Sequence, residues 1–219
     1  FPSGTNDASI TILQNFHVLK KNIPLAAGLG GGSSDAAAAL TGLNRLFRLG
    51  LTQEALIYLG RKLGADVPFF LLETSQAVGV GRGDWVRAFP KPASYSIFLL
   101  FFPQGLFSRE VYRRWHKTGK LPGLTGVSCD ATMASKFLAG GDLESASRYL
   151  GNDLLEPACR IKPAIRQVLS FLKAYSPASQ MTGSGPTLFG LASSAREARA
   201  LAAKASAKFG LAKWVGKIG

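Results

Sequence analysis

Residues 24–36 read Pro-Leu-Ala-Ala-Gly-Leu-Gly-Gly-Gly-Ser-Ser-Asp-Ala, with four glycines in the five positions 28–32. Glycine removes the Cβ atom where backbone must turn sharply or approach a ligand, so the amides of such a loop can converge on one point. Ser33, Ser34 and Asp35 suit the start of a helix, because each can accept a bond from an unpaired first-turn N–H. The alanines that follow favour helix. A helix starting there turns its free N–H groups and the positive end of its dipole toward an anion, which is phosphate-binding chemistry. The candidate cradle is Pro24, Ala26, Ala27, Gly28, Leu29, Gly30, Gly31, Gly32, Ser33 and Ser34. It is not a P-loop, since no lysine follows the glycines. It is not a dinucleotide fingerprint either, since the sixth position counted from Gly28 is Ser33 rather than glycine.

A second candidate group is Asp66, set between Gly64-Ala65 and the apolar run Val67-Pro68-Phe69-Phe70. Such surroundings would desolvate its carboxylate and fit it for general-base work, unless a cation stands close. The competing reading is an aspartate that caps the next turn. Gly183-Ser184-Gly185 forms a short Gly-x-Gly turn before an apolar stretch. Tyr112, by its residue type and spacing alone, reads as a packing residue on a helix. Ser33 and Ser34 could also offer hydroxyls to a Mg²⁺ held among phosphate oxygens. No protein metal-ligand set is present: Cys129 and Cys159 have no Cys-x-x-Cys spacing and read as two buried thiols. Lys20 and Lys21 read as an exposed strand end.

The elements that must position these groups follow from periodicity and punctuation. Strands are expected over 10–13 and 16–19, and helices over 34–47 and 53–63, ended by Gly50 and Gly64. Short apolar segments follow at 67–72 and 75–80, then a strong strand at 95–102 closed by Pro103. Further helices are expected over 131–138, 143–150, 164–175 and 195–209, with strands over 187–192 and 214–218. Segregated strands and helices of this kind make an α+β protein. Pro90 and Pro92 mark the expected boundary between two lobes, residues 1–90 and 91–219.

Of the 219 residues, 47% are hydrophobic and 18% charged, which excludes an extended disordered chain. No apolar run approaches the roughly 18 to 20 residues that cross a bilayer, and no secretion signal is read at the start of the chain, so a cytoplasmic location is expected. The net charge of +13 also fits a nucleic-acid binder. The cations are scattered, however, and the C-terminal set Arg196, Arg199, Lys204 and Lys208 reads as the solvated face of a helix. A positive field would favour polyanionic small molecules as substrates, with neither nucleic acid nor membrane as partner.

The glycine loop resembles the second signature of the GHMP kinases, the superfamily of galactokinase, homoserine kinase, mevalonate kinase and phosphomevalonate kinase. Residues 23–39 are most similar to its 4-diphosphocytidyl-2-C-methyl-D-erythritol kinase branch. Gly64-Ala65-Asp66-Val67-Pro68-Phe69-Phe70 resembles the block with the family's catalytic aspartate, Gly79-Val80-Gly81-Arg82-Gly83 a glycine-arginine segment, and 181–189 the third signature; Asn152-Asp153-Leu154-Leu155-Glu156-Pro157 resembles an Asn-Asp-Leu-Glu segment. The resemblance implies a two-lobed fold with its active site in the cleft between lobes. It also implies ATP and Mg²⁺ as cofactors, and transfer of phosphate to the 2-hydroxyl of a cytidine diphosphate-linked methylerythritol in non-mevalonate isoprenoid synthesis. Asp66 would be catalytic, Ser184, with Gly183 and Gly185, would lie at the transferred phosphate, and Tyr112 would stack on cytosine. The family's aspartate works with a lysine near the chain start, followed by a Tyr-His pair. No lysine precedes Lys20 here and no Tyr-His dipeptide occurs, which reads as an N-terminal segment outside this sequence. The alternatives are a mevalonate- or homoserine-type kinase, or a non-catalytic relative that binds nucleotide or RNA.

Overall fold

The computed structural model describes residues 9–12, 17–72, 74–89, 93–117 and 130–218, with side chains from residue 19 onward. In chain order the elements are β1 (Ser9–Ile12), β2 (His17–Lys20), α1 (Gly31–Leu46), α2 (Gln53–Leu63), α3 (Val67–Leu71), β3 (Ala77–Val80), β4 (Trp85–Ala88), β5 (Tyr95–Phe101) and α4 (Ser108–His116). Then come α5 (Ala131–Ala139), α6 (Leu143–Ser147), α7 (Leu155–Ile161), α8 (Ala164–Lys173), β6 (Ser179–Met181), β7 (Leu188–Ala192), α9 (Ala195–Phe209) and β8 (Ala212–Ile218). Helices with antiparallel sheets are the α+β class that the sequence implies.

One core lies among the first three helices. Ala37, Leu56, Val67 and Leu71 bury together there. Thr52 accepts from the Ala55 N–H at 3.3 Å and starts α2, and Gly64 follows its last residue. The apolar segment expected at 67–72 is a short helix. Pro68 in its first turn carries a backbone angle already suited to helix, and Val67 and Leu71, one turn apart, share the buried face. The β3–β4 hairpin is fastened to α2 by Arg61, which donates to the Asp84 carbonyl at 3.0 Å and lies 3.8 Å over the Trp85 ring.

The second core surrounds a four-stranded antiparallel sheet of order β6-β7-β5-β8. Alternation along β5 covers both its faces. Phe98 and Leu100 pack with Ile165, Val168 and Leu172 of α8 and with Ala198, Ala202 and Ala205 of α9. Tyr95 and Ile97 pack on the other face with Ala178, Leu138 and Leu143. Full burial of Phe98 and Leu100 stabilises the fold by about 1.5–3 kcal/mol each.

The small alanines let α9 lie close to the sheet while Arg196, Arg199, Lys204 and Lys208 face solvent, as the charge pattern implies. Cys159 is a buried free thiol whose titration burial pushes up, and Cys129 lies outside the described residues. Pro90 and Pro92 also lie outside them. Among the described residues, no helix is long and apolar enough to cross a membrane.

Candidate active site

The glycine loop folds differently at its exit from the capping scheme expected. Helix α1 begins at Gly31, with Gly30 as its N-cap residue in the left-handed conformation (φ 65°), and no side chain caps it. Ser33, Ser34 and Asp35 therefore lie inside the helix, and the first helical bond runs from the Ser34 N–H to the Gly30 carbonyl at 2.9 Å. Glycine at the N-cap tolerates this angle, and the alanine-rich stretch extends the helix from there. The N–H groups of Gly31, Gly32 and Ser33 precede that bond and have no partner within the helix, which leaves them for an anion. Gly32 is exposed at this end, and Ser33 and Ser34 are half-buried beside it.

Asp35 instead pairs with Lys21. The Lys21 side chain is only 6% exposed and that of Asp35 28%. The exposed strand end expected at Lys20-Lys21 thus holds for Lys20 alone. A cation at the start of a helix opposes the dipole, and the Asp35 carboxylate offsets it.

The rest of the loop is fastened to two distant segments. The Ala26 carbonyl accepts from the Leu106 N–H at 2.9 Å, and the Ala27 carbonyl from the Thr182 hydroxyl at 3.5 Å. Ala26 and Ala27 thus belong to the anchored part of the loop, with the half-buried Pro24 before them and Leu29 in a half-buried bend after them. At Gly28 (φ +73°) an added Cβ would lie 2.4 Å from the Thr182 carbonyl oxygen and 2.8 Å from the Gly185 nitrogen. Only a residue without a side chain can seat the loop on the 182–185 turn.

That turn closes through the Gly185 N–H, which donates to the Thr182 carbonyl at 2.8 Å. Asn152 holds it from outside, donating to the carbonyls of Met181 and Gly183, each at 2.9 Å, while its own oxygen accepts from the Leu154 N–H at 2.9 Å. Ser184 is 6% exposed, and its hydroxyl lies 2.7 Å from that of Ser108, in the first turn of α4.

Asp66 is the N-cap residue of α3, yet its side chain makes no capping bond, which removes the capping reading. It is exposed rather than desolvated by the run that follows, because Val67 and Pro68 turn into the core and leave the carboxylate outside. One turn along α3, the Phe70 ring comes within 3.0 Å of where a Cβ on Gly30 would stand, so this side of the helix meets the glycine loop. Tyr112 is 48% exposed. Burial of part of the ring, and then the negative charge of Asp66, hold its hydroxyl above its ordinary titration range. Tyr112 and Ser108 are one turn apart on α4 and share a face.

The elements close a circuit: α3 meets Gly30 through the Phe70 ring, the charge of Asp66 acts on Tyr112, Tyr112 shares a face of α4 with Ser108, Ser108 bonds to Ser184, and the 182–185 turn meets Gly28. The loop and the second Gly-x-Gly turn are thereby in contact, with the carboxylate and the aromatic ring on the neighbouring α3 and α4. Free amides on one side and a carboxylate on the other suit transfer of an anionic group to a hydroxyl. Among the described residues, no group of three or more His, Cys, Asp or Glu could hold a metal ion. Sequence reasoning missed three members of the arrangement. Ser108 carried a signal in its one-turn spacing from Tyr112, Asn152 only in the segment resemblance, and the Lys21–Asp35 pair none.

Comparison with known proteins matches residues 5–74 to the family described as GHMP kinases N terminal domain, and residues 133–211 to GHMP kinases C terminal. The 4-diphosphocytidyl-2-C-methyl-D-erythritol kinase of Moorella thermoacetica is 39% identical over 188 residues, covering 85% of this chain and 65% of that protein. The protein of the same name from Pelotomaculum thermopropionicum is 38% identical, covering 85% of this chain and 63% of its own length. The chain thus spans just under two thirds of these relatives. A crystal structure of 4-(cytidine 5'-diphospho)-2C-methyl-D-erythritol kinase superposes with a TM-score of 0.71 at 33% identity, over 91% of this chain and 69% of that one. Homoserine kinase from Cytophaga hutchinsonii superposes with a TM-score of 0.72 at 16% identity, over 91% of this chain and 68% of that one, a likeness of fold alone. With both domain families in order and a solved relative at this identity over most of its length, the chain belongs to the GHMP kinases.

Proposed function

We propose that this chain carries the phosphate loop and catalytic aspartate of an ATP-dependent kinase that phosphorylates the 2-hydroxyl of 4-diphosphocytidyl-2-C-methyl-D-erythritol. The observation that supports it most is the uncapped start of α1 across the circuit from an Asp66 carboxylate that caps nothing. In this reading the amides of Gly31, Gly32 and Ser33 hold the triphosphate. Asp66 takes the proton of the acceptor hydroxyl as its oxygen bonds to the γ-phosphorus, the bond from that phosphorus to the bridging oxygen breaks, and ADP leaves. Ser184 donates to an oxygen of the transferred group.

Magnesium fits the donors present only together with the nucleotide, since Ser33 and Ser34 supply hydroxyls and Asp35 is engaged by Lys21. When bound, it would neutralise charge on the phosphate oxygens. The half-exposed Tyr112 ring beside Asp66 supports a substrate with a base to stack. The two separate apolar cores support lobes of residues 1–90 and 91–219, and a kinase of these substrates works where ATP is, in the cytoplasm.

The test is ADP release by the full-length protein in a coupled assay with each acceptor. Turnover with the cytidine diphosphate compound, and none with mevalonate or homoserine, supports the reading; the reverse overturns the substrate. Tyr112→Ala should raise KM for the cytidine compound about tenfold, the scale of one lost stacking contact.

A further inference from the structure

We propose that Ser108 is a positioning residue that sets the direction of the Ser184 hydroxyl, so that the Ser184 proton points at the transferred phosphoryl group. The inference rests on the kinase reading and deepens it.

A buried hydroxyl is expected to have a partner, and the partner of Ser184 is the Ser108 hydroxyl at 2.7 Å. Each hydroxyl has one proton, so only one of the two can donate across this bond. Phosphate oxygens only accept. Ser184 can bind one only with its proton turned away from Ser108, which requires Ser108 to be the donor. Serine in a first helical turn commonly spends its side chain on its own helix. Ser108 does not: α4 has no side-chain cap, and the hydroxyl reaches the 182–185 turn instead. Its reach is fixed, because the preceding Leu106 N–H is bonded to Ala26 of the glycine loop at 2.9 Å. Tyr112, one turn on, shares the face, so this side of α4 both stacks against substrate and orients the residue that meets the phosphate.

The experiment compares full-length wild type with Ser108→Ala, Ser108→Thr, Ser184→Ala and the Ser108→Ala/Ser184→Ala double variant. Lost orientation of one hydrogen bond to a charged group should lower kcat of Ser108→Ala about 10- to 100-fold. Both KM values, the calorimetric Kd for ADP and the melting temperature should stay near wild type, with KM and Kd within about threefold. Ser108→Thr, which keeps the hydroxyl, should recover to within about threefold of wild-type kcat, and Ser108→Ala should cost less than about twofold when Ser184 is already alanine. Wild-type kcat in Ser108→Ala, multiplicative losses in the double variant, or a threonine variant as slow as alanine overturns the proposal alone. A wild-type protein that releases no ADP overturns the kinase reading, and this inference with it.

Discussion

The side-chain amide of Asn152 donates to the Gly183 carbonyl at 2.9 Å, and to that of Met181 at the same distance. One residue thus braces the turn on which the glycine loop sits. Asn152→Ala leaves both carbonyls unbraced and should destabilise the protein by about 1–3 kcal/mol. Asn152→Asp should be worse, because a carboxylate cannot donate and sets a negative charge against both carbonyl oxygens. Urea denaturation of the three proteins ranks them, and an aspartate variant as stable as wild type contradicts the bracing role.

Two glycines of the loop should separate folding from binding. Gly28→Ala meets the Thr182 carbonyl at 2.4 Å in a left-handed backbone, so a loss of at least about 1–2 kcal/mol is expected from the backbone angle alone. Gly32 lies in α1 with nothing within 4 Å of an added Cβ. Gly32→Ala should leave stability unchanged or raise it by up to about 1 kcal/mol. On the proposed reading it should nevertheless weaken nucleotide affinity, since a methyl group would then stand where phosphate reaches the amides. Denaturation midpoints and ADP titrations together read out the pair.

Asp66→Asn should lower kcat about 10²- to 10⁴-fold while ADP still binds. The same change removes the negative charge that raises the Tyr112 titration, so the Tyr112 hydroxyl should ionise at lower pH. Ultraviolet titration of tyrosinate follows this shift, and an unmoved Tyr112 curve argues against their proximity.

Acid should release one surface contact. The Arg166 hydrogen bond holds the Glu156 carboxyl below its ordinary range, with Arg160 adding a second cation 3.7 Å away. A depressed folded value gives stability that is present above about pH 4.3 and lost as pH falls through the folded value. Glu156 is 53% exposed, so the contribution is at most about 1 kcal/mol. Melting temperatures of Glu156→Gln and wild type should converge only below the depressed folded value and differ by about a degree or two near neutrality.

Local signals that agree with packing were legible. Helix α9 occupies the expected 195–209, with Ser194 accepting from the Glu197 N–H and Gly210 left-handed at its end. Helix α2 has the expected bounds because Thr52 caps its start, while Gly64 ends it in extended backbone. Helix α4 was not among the elements laid out from periodicity, because Val111 is its one buried residue and Arg109, Glu110, Arg113, Arg114 and His116 interrupt its few apolar positions. The start of α1 was misread by three residues because a glycine run looks like loop, whereas its tertiary seat lets the helix begin inside the run. Loop, aspartate and Gly-x-Gly turn could each be named from sequence. Their joining through Ser108 and Asn152 could not, since hydrogen bonds between distant segments leave no periodicity to read.

Residues 24–30, 105–108 and 182–185 meet at a single junction around Gly28, drawn from widely separated stretches of the chain. Contacts of such long sequence separation demand loop closure and form slowly. On the proposed reading, a nucleotide seated there would act as a clasp on the finished protein: at a ligand concentration 100 times Kd, mass action adds about 2.7 kcal/mol. Cells depleted of nucleotide would lose that clasp, and turnover of the chain by proteases would rise before any change in its sequence or synthesis.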